Sequence, residues 1–543
     1  MLDSVSSNAV DIAQTLECGA FSDETKQIIA DEGLLPEGLV NRLHRQYTSV
    51  SALGSTDKPL FTERNDYTGL GGFRAVNQIL LDNGIDIGHQ DERELFVEVY
   101  RFLATKHTLN SINWNDFATD SIFQLVFPQP SMINKKVTDA YVTAPEGEAR
   151  TAIAQEYMKE TNPHDGNQQL NKPWFVNSEG VLELLAGSQH KYPQCQLIFD
   201  KSTQHCFSFC TYCFRHAQVR GDEDMFLQND VDQAHAYLRL HTEVSDLLIT
   251  GGDGGVMPAN RLKQYCDPIM HDPSLQHIRT VRLATRALTF HPEMMLTKKY
   301  DAMLAVFDEL HDNGVQLALM AHFSTPRELL NPVTIAAIRR LQKHGVVVRS
   351  QSPIMRHISM FDNEDGTIDI DRSAQNWIDL GNIFATLKVG FHSMYCARPT
   401  GEHHYFTAPL ADVAKIFDKI YRSLSSINRP SRYISMTTSA GKLSLLGTSE
   451  INGETTFALK FCESRNMQWM DKVFHAKYDE KTNNVSLLNP IEGNSFFFED
   501  ELAQIEEELA SDLKAAMNSS KGVHMDEVSV EYDELGLDSH SVA

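Results

Sequence analysis

The sequence predicts an α/β protein centred on a parallel sheet, with a helical amino-terminal region and a small carboxy-terminal extension. From about Lys191, short β-rich runs alternate with amphipathic helical stretches, the pattern of strands joined by helical crossovers. Glycines stand where helices should end: Gly314 after MLAVFDELHDN and Gly345 after PVTIAAIRRLQKH. The expected strands are 196–200, 246–250, 280–285, 315–322, 345–350, 387–396 and 432–438. Upstream, LPEGLVNRLHRQY and ERELFVEVYRFLATKH repeat apolar residues every three to four positions and predict helices. The run Tyr67-Thr68-Gly69-Leu70-Gly71-Gly72 between them reads as a plain turn, because no preceding strand supports a phosphate loop. From about Phe498 the chain turns acidic and helical, then fades into a polar end.

A net charge of −25 disfavours nucleic acid or an anionic membrane as the main partner, since both are held through basic surfaces. No apolar run approaches the roughly 18–20 residues of a membrane span, and the first ten residues lack a signal-peptide pattern. Eight cysteines in 543 residues, three of them bunched, do not form a disulfide framework; a reducing cytoplasm is the expected compartment.

The bunched cysteines are Cys206, Cys210 and Cys213, in a loop just after the first expected strand. That is the end of a strand at which α/β folds carry their sites. Three thiolates within eight residues reach one metal centre, and on a four-iron cube they leave one iron open. The competing reading is a Cys3His zinc site completed by His205 or His216. Structural zinc sites usually come as two paired knuckles, and no second pair exists here.

CxxxCxxC with Tyr212 before its last cysteine resembles the signature of radical S-adenosylmethionine (SAM) enzymes. Further motifs follow in order: HKYPQ at 190–194, LLITGGDGG at 247–255, LATRALTFHPE at 283–293, LMAHFSTPREL at 319–329, VRSQSPIMRHI at 348–358, YCARPTGEHHYF at 395–406 and SAGKLSLLG at 439–447. Together they resemble the lysine 2,3-aminomutase family from about residue 114 to 461. The resemblance implies a partial (β/α) TIM-type barrel, with a helical extension over 1–112, a helical lead-in over 113–190, the radical SAM barrel over 191–462 and an extension with an acidic tail over 463–543.

It also implies a [4Fe-4S] cluster on the three cysteines, SAM, and pyridoxal 5′-phosphate (PLP). A 5′-deoxyadenosyl radical then drives movement of an α-amino group to the β-carbon. The expected partners are an amino-acid substrate and a reductant such as flavodoxin or ferredoxin; self-association into a homo-oligomer is left open.

Position by position, the resemblance makes Lys442 the PLP lysine and Arg215 the grip on the substrate α-carboxylate. Tyr212, Gly251, Gly252 and Asp253 are implied around the cluster and SAM, Gln351 and His322 along the SAM and substrate cavity, and Tyr192 near PLP. The departures concern the substrate. Two aspartates that read a lysine ammonium are replaced by Ala397 and Ser435, and burying that ammonium without them would cost several kcal/mol. Free lysine is therefore not the expected substrate. Arg398, next to Ala397, is a candidate to meet a distal carboxylate, but strand alternation would turn it to the other side. The glycine-rich run before Lys442 is reduced to Thr437-Thr438-Ser439-Ala440-Gly441, and an arginine near Gln194-Cys195 is missing. Two other readings stay open: radical modification of a peptide or protein lysine, and a non-catalytic zinc or iron–sulfur protein.

Overall fold

The computed structural model describes residues 9–161, 166–221, 225–398 and 401–519. The polar end expected after the acidic helix, and Pro399-Thr400 within the YCARPTGEHHYF motif, lie outside them. The centre is an eleven-stranded sheet in which every strand lies beside its predecessor. Its strands are β1 (Ser188–Tyr192), β2 (Cys195–Phe199), β3 (Asp246–Thr250), β4 (Thr280–Thr285), β5 (Gln316–Ala321), β6 (Val347–Ile354), β7 (Gly390–Cys396), β8 (Ser435–Thr437), β9 (Gly441–Ile451), β10 (Glu454–Ser464) and β11 (Val473–Lys477). Pairing is parallel from β2 to β8 and antiparallel at both flanks. The expected strands are thus all present, with β7 starting three residues late because Leu387 closes the helix Ile370–Leu387. The sheet also runs through the boundaries expected at 190/191 and 462/463.

Alternation gives the two faces of this sheet different chemistry. Ile198, Leu247, Ile249, Val281, Leu283, Leu317, Leu319 and Val348 point into one apolar core shared with the helices 259–271, 301–312, 332–343, 370–387 and 410–423. Because each crossover advances in the same direction with the same hand, the helices collect on that face. The opposite face carries Cys195, Asp246, Thr250, Arg282, Arg349, Gln351, His392 and Tyr395, all buried or half-buried. A row of polar side chains on an enclosed sheet face is a site wall, not a core.

The amino-terminal region is two structures. The helices Ile12–Cys18, Asp23–Asp31 and Glu37–Gln46 add to the main core through Leu16, Ile29, Leu34 and Leu43. Residues 61–158 build most of a second apolar cluster, completed by Phe209, Phe290, Met355, Ile358, Ala397 and Phe406 of the main unit. Here two expectations fail. The expected turn at Gly69 is a strand-to-helix junction, Asp66–Thr68 leading into the helix Gly69–Asp82, with Gly69 at φ +64°. The second expected helix stops at Val99, and Leu103–Thr105 pairs with Asp66–Thr68 as a strand. Helical periodicity persisted in the letters past 99, but the ladder to a partner 37 residues upstream wins.

Within this second unit His107 is buried, near enough to His291 to feel its charge. Burial, with the neighbouring His291 and Lys106 charges, pushes His107 down to about 3. The folded protein keeps this ring neutral while the unfolded chain would protonate it near 6.5, so stability falls as pH drops below about 6.5 and goes on falling toward 3. We expect a loss of about 2–4 kcal/mol between pH 7 and 4 from this group, read from urea midpoints, and a shallower slope in His107→Gln.

Candidate active site

The cysteine loop leaves the carboxyl end of β2 under close restraint. Asp200, fully buried, accepts from Ser202 N at 2.9 Å and Tyr265 Oη at 2.8 Å, and pairs with Arg261. Thr203 donates its hydroxyl to the Thr250 carbonyl at 2.5 Å and accepts from Gly252 N at 2.7 Å. The loop after β3 is thereby stitched to the cysteine loop. The contact demands glycine: a Cβ on Gly251 (φ +151°) would lie 2.3 Å from Thr203 Oγ1, and one on Gly252 would lie 2.7 Å from the His205 carbonyl oxygen. Asp253 spends its carboxylate on the same turn, accepting from Gly255 N at 2.7 Å and Arg286 N at 2.8 Å.

The second apolar unit holds the loop from its other side. Phe209 N donates to the Leu103 carbonyl at 2.7 Å, Thr211 N to the Leu125 carbonyl at 2.8 Å, and Thr105 N to Ser208 Oγ at 3.1 Å. Cys210, Tyr212 and Cys213 pack against that unit. The amino-terminal extension is thus a wall of the cysteine site.

All three thiols keep some accessible surface, yet burial is the main influence raising their pKa values, that of Cys213 to about 12. Thiols in such a recess ionise only with a cation at hand. One cation is built in: Arg286 Nη1 lies 3.4 Å from Cys210 Sγ, while its Nη2 reaches Ser324 Oγ at 3.2 Å and Glu328 Oε1 at 3.4 Å. Its guanidinium also sits 5.9 Å from the Tyr212 ring, whose hydroxyl has no partner among the described residues. Among the described residues, the one trio of metal-capable side chains with all ligand atoms within 4.8 Å is His190, His241 and Glu243, not the cysteines.

Farther along the polar face the charge becomes positive. Arg215 donates to Thr250 Oγ1 at 3.0 Å and lies over Phe199 and Phe214 at 4.6 and 5.2 Å. Burial, with the Arg398 charge nearby, lowers it to about 10. His322 is pushed down to about 3 by burial and by Arg286 and Arg215, so it faces both guanidiniums as a neutral ring. Gln351 accepts from Tyr395 Oη at 3.3 Å. Lys442 Nζ lies 5.5 Å from the Tyr192 ring and 5.6 Å from the Tyr395 ring, and donates to Glu463 Oε2 at 2.5 Å. Burial opposes its charge, but Tyr395, Glu463 and Tyr192 outweigh it and raise its pKa. Glu463, shared with Arg432, is held down at about 2 against the effect of burial.

The structure therefore groups Cys206, Cys210, Cys213, Tyr212, Gly251, Gly252 and Asp253 at the carboxyl ends of β2 and β3, and Gln351, Tyr192 and Lys442 along the polar face, with Arg215 and His322 between. Sequence reasoning missed Arg286, Glu328, Glu463 and Lys191. Lys191 donates to the Thr438 carbonyl, lies 5.7 Å from the Tyr192 ring and has no carboxylate in ion-pair range among the described residues. Burial and the charges of Arg465, Arg398 and Lys442 press its pKa well down. Lysine in the HKYPQ run was the one available signal for it. Arg398 also departs from expectation: β7 ends at Cys396, so strand alternation no longer governs it, and its guanidinium lies 5.0 Å from the Phe214 ring.

No family model matches the chain. An Aquifex aeolicus protein provisionally named L-lysine 2,3-aminomutase is 26% identical over 276 residues, 51% of this chain and 68% of that protein. The L-lysine 2,3-aminomutase of Bacillus subtilis is 28% identical over 32% of this chain and 34% of its own length. The glutamate 2,3-aminomutase of Clostridioides difficile is 24% identical over 31% and 37%. The matches thus span between about a third and two thirds of these relatives. No helix among the described residues is long and apolar enough to cross a membrane.

Proposed function

Given a chain of the radical SAM, lysine 2,3-aminomutase-like kind, we propose that it is a PLP-dependent isomerase that moves the α-amino group of a non-lysine amino acid to the β-carbon. The observation that carries this is the alignment, along one enclosed polar face, of a three-thiol recess, a cationic stretch and the deep lysine Lys442. One-sided winding of β2 to β8 supports the partial barrel that such an enzyme uses. The residues fit the groups required. Cys206, Cys210 and Cys213 would hold a [4Fe-4S] cluster beside Arg286; the glycine turn after β3, packed backbone to backbone on the cysteine loop, would place its amides at the edge of the SAM site. Lys442 would hold PLP, with the unpartnered Tyr192 hydroxyl and the cation of Lys191 close by. When bound, SAM on the cluster supplies hydrogen-atom abstraction, and PLP supplies an electron-delocalising ring through which nitrogen can shift.

The chain's own part is positioning and proton control. Glu463 keeps Lys442 Nζ protonated, so the amine becomes nucleophilic only when that proton leaves. Arg432 then keeps the freed Glu463 carboxylate paired. Arg215, fixed to Thr250 and stacked on two phenylalanines, presents its fork to an α-carboxylate. The amino-terminal unit packs against the cysteine loop and narrows the access of water to it. It is thereby occupied, which disfavours a protein-lysine substrate docking there. A reducing compartment and a flavodoxin- or ferredoxin-type donor belong to the same proposal.

Borohydride treatment of the PLP-reconstituted protein, followed by peptide mapping, tests it. The label is expected on Lys442 and is absent in Lys442→Ala. Labelling of Lys191 instead, or of neither lysine, overturns the assignment.

A further inference from the structure

We propose that Arg398 binds a second anionic group of the substrate, so that the amino acid taken by this site carries a carboxylate side chain. The inference rests on the aminomutase reading above and deepens it. Arg398 and Arg215 press on the same ring, Phe214, at 5.0 and 5.2 Å. The groups that face Arg398 are Arg215, Lys191, Tyr192 and Tyr395: two further cations and two phenols. No carboxylate comes within ion-pair distance of Arg398 or Arg215 among the described residues. Of the nearby acids, Glu463 is taken by Lys442 and Arg432 and Asp246 by Arg282, while Glu506 acts on Lys191 and Arg465 and is not among the groups acting on Arg398.

Two enclosed guanidiniums without counterions are costly to fold, and stacking on an aromatic ring returns only part of that cost. A site built this way recovers the remainder when anions arrive. One α-carboxylate matches one guanidinium. A phosphate is better served by Lys191 and the hydroxyls of Thr437, Thr438 and Ser439 than by Arg398, which lies at the Phe214 end of the row. That leaves one guanidinium, and a planar fork suits a second carboxylate. The wall offers nothing to a cationic side chain: Ala397 is packed into the second apolar cluster and Ser435 is 1% exposed. A neutral side chain would leave Arg398 unpaired.

The test titrates the PLP-loaded, cluster-containing protein anaerobically with aspartate, glutamate, asparagine and glutamine, following the absorption of bound PLP. No turnover is needed. At least one acid is expected to perturb the spectrum at about hundredfold lower concentration than its amide. In Arg398→Gln the two should come within about threefold, with PLP and iron content unchanged, and Arg398→Lys should restore part of the preference. Equal response to acid and amide in the unmodified protein overturns the inference and leaves the aminomutase reading standing. So does loss of PLP from Arg398→Gln, which would give Arg398 to the phosphate. If none of the four perturbs bound PLP, the inference falls, and the aminomutase reading is judged separately by the borohydride labelling of Lys442.

Discussion

Replacing any one of Cys206, Cys210 and Cys213 with serine is expected to abolish iron retention after anaerobic reconstitution and, with it, SAM cleavage. The loss should exceed the ~10–100-fold typical of changes to groups that only support a metal ligand. The three thiols sit in a recess where burial disfavours their ionised form, so each thiolate depends on the cluster to exist, and the cluster depends on all three. Serine keeps the shape of the loop, because Thr203, Phe209, Thr211 and the glycine turn hold the backbone without help from the cysteines. The variants should therefore remain folded, with melting temperatures near those of the metal-free parent. Iron and sulfide analysis with the visible absorption spectrum checks the first expectation, and thermal unfolding checks the second. Full iron occupancy in the Cys210→Ser protein would refute the ligand assignment.

Arg286→Met should be the most destabilising change in the interior, by about 3–5 kcal/mol. Arg286 and Glu328 are both buried, at 6% and 2% exposure, and the arginine also touches Cys210 and Ser324. Without it, the Glu328 carboxylate is left with the backbone amides of Ser324 and Thr325 and the Thr289 side chain, and no cation. Glu328→Gln in the same chain removes the stranded charge and should recover most of the stability. It should not recover the cluster's environment, since the cation 3.4 Å from Cys210 Sγ is still missing. Denaturation midpoints of the two variants, set beside their iron content and cluster potential, separate these effects. If the double variant regained normal cluster behaviour, Arg286 would be a packing residue only.

The strand–helix order and the radical-SAM-like loop were legible because both are local in the chain. Alternation of β-rich and amphipathic runs reports burial one residue at a time, and CxxxCxxC places three thiols within eight positions. Failures came where a distant partner decided the outcome. The letters of 94–106 keep helical spacing, yet Leu103–Thr105 becomes a strand because Asp66–Thr68 lies beside it. Arg398 looked turned away because alternation was extended past the point where β7 ends. Arg286 lay within a recognisable motif, but nothing in that motif says its side chain ends on a cysteine 76 residues earlier.

By itself, then, the sequence determined the α/β order and the three thiols, which need only neighbouring residues to be read, while the resemblance singled out Lys442, on β9, and the missing aspartates. Only the tertiary structure decided that the amino-terminal unit walls the cysteines, that Glu463 holds Lys442, and that Arg215 and Arg398 share the Phe214 ring with no carboxylate in ion-pair range among the described residues. The physical reason is that enclosure and charge balance are properties of a volume. They depend on which side chains from β1, β7, β9 and the cysteine loop share one low-dielectric space, and no stretch of the chain contains that information alone.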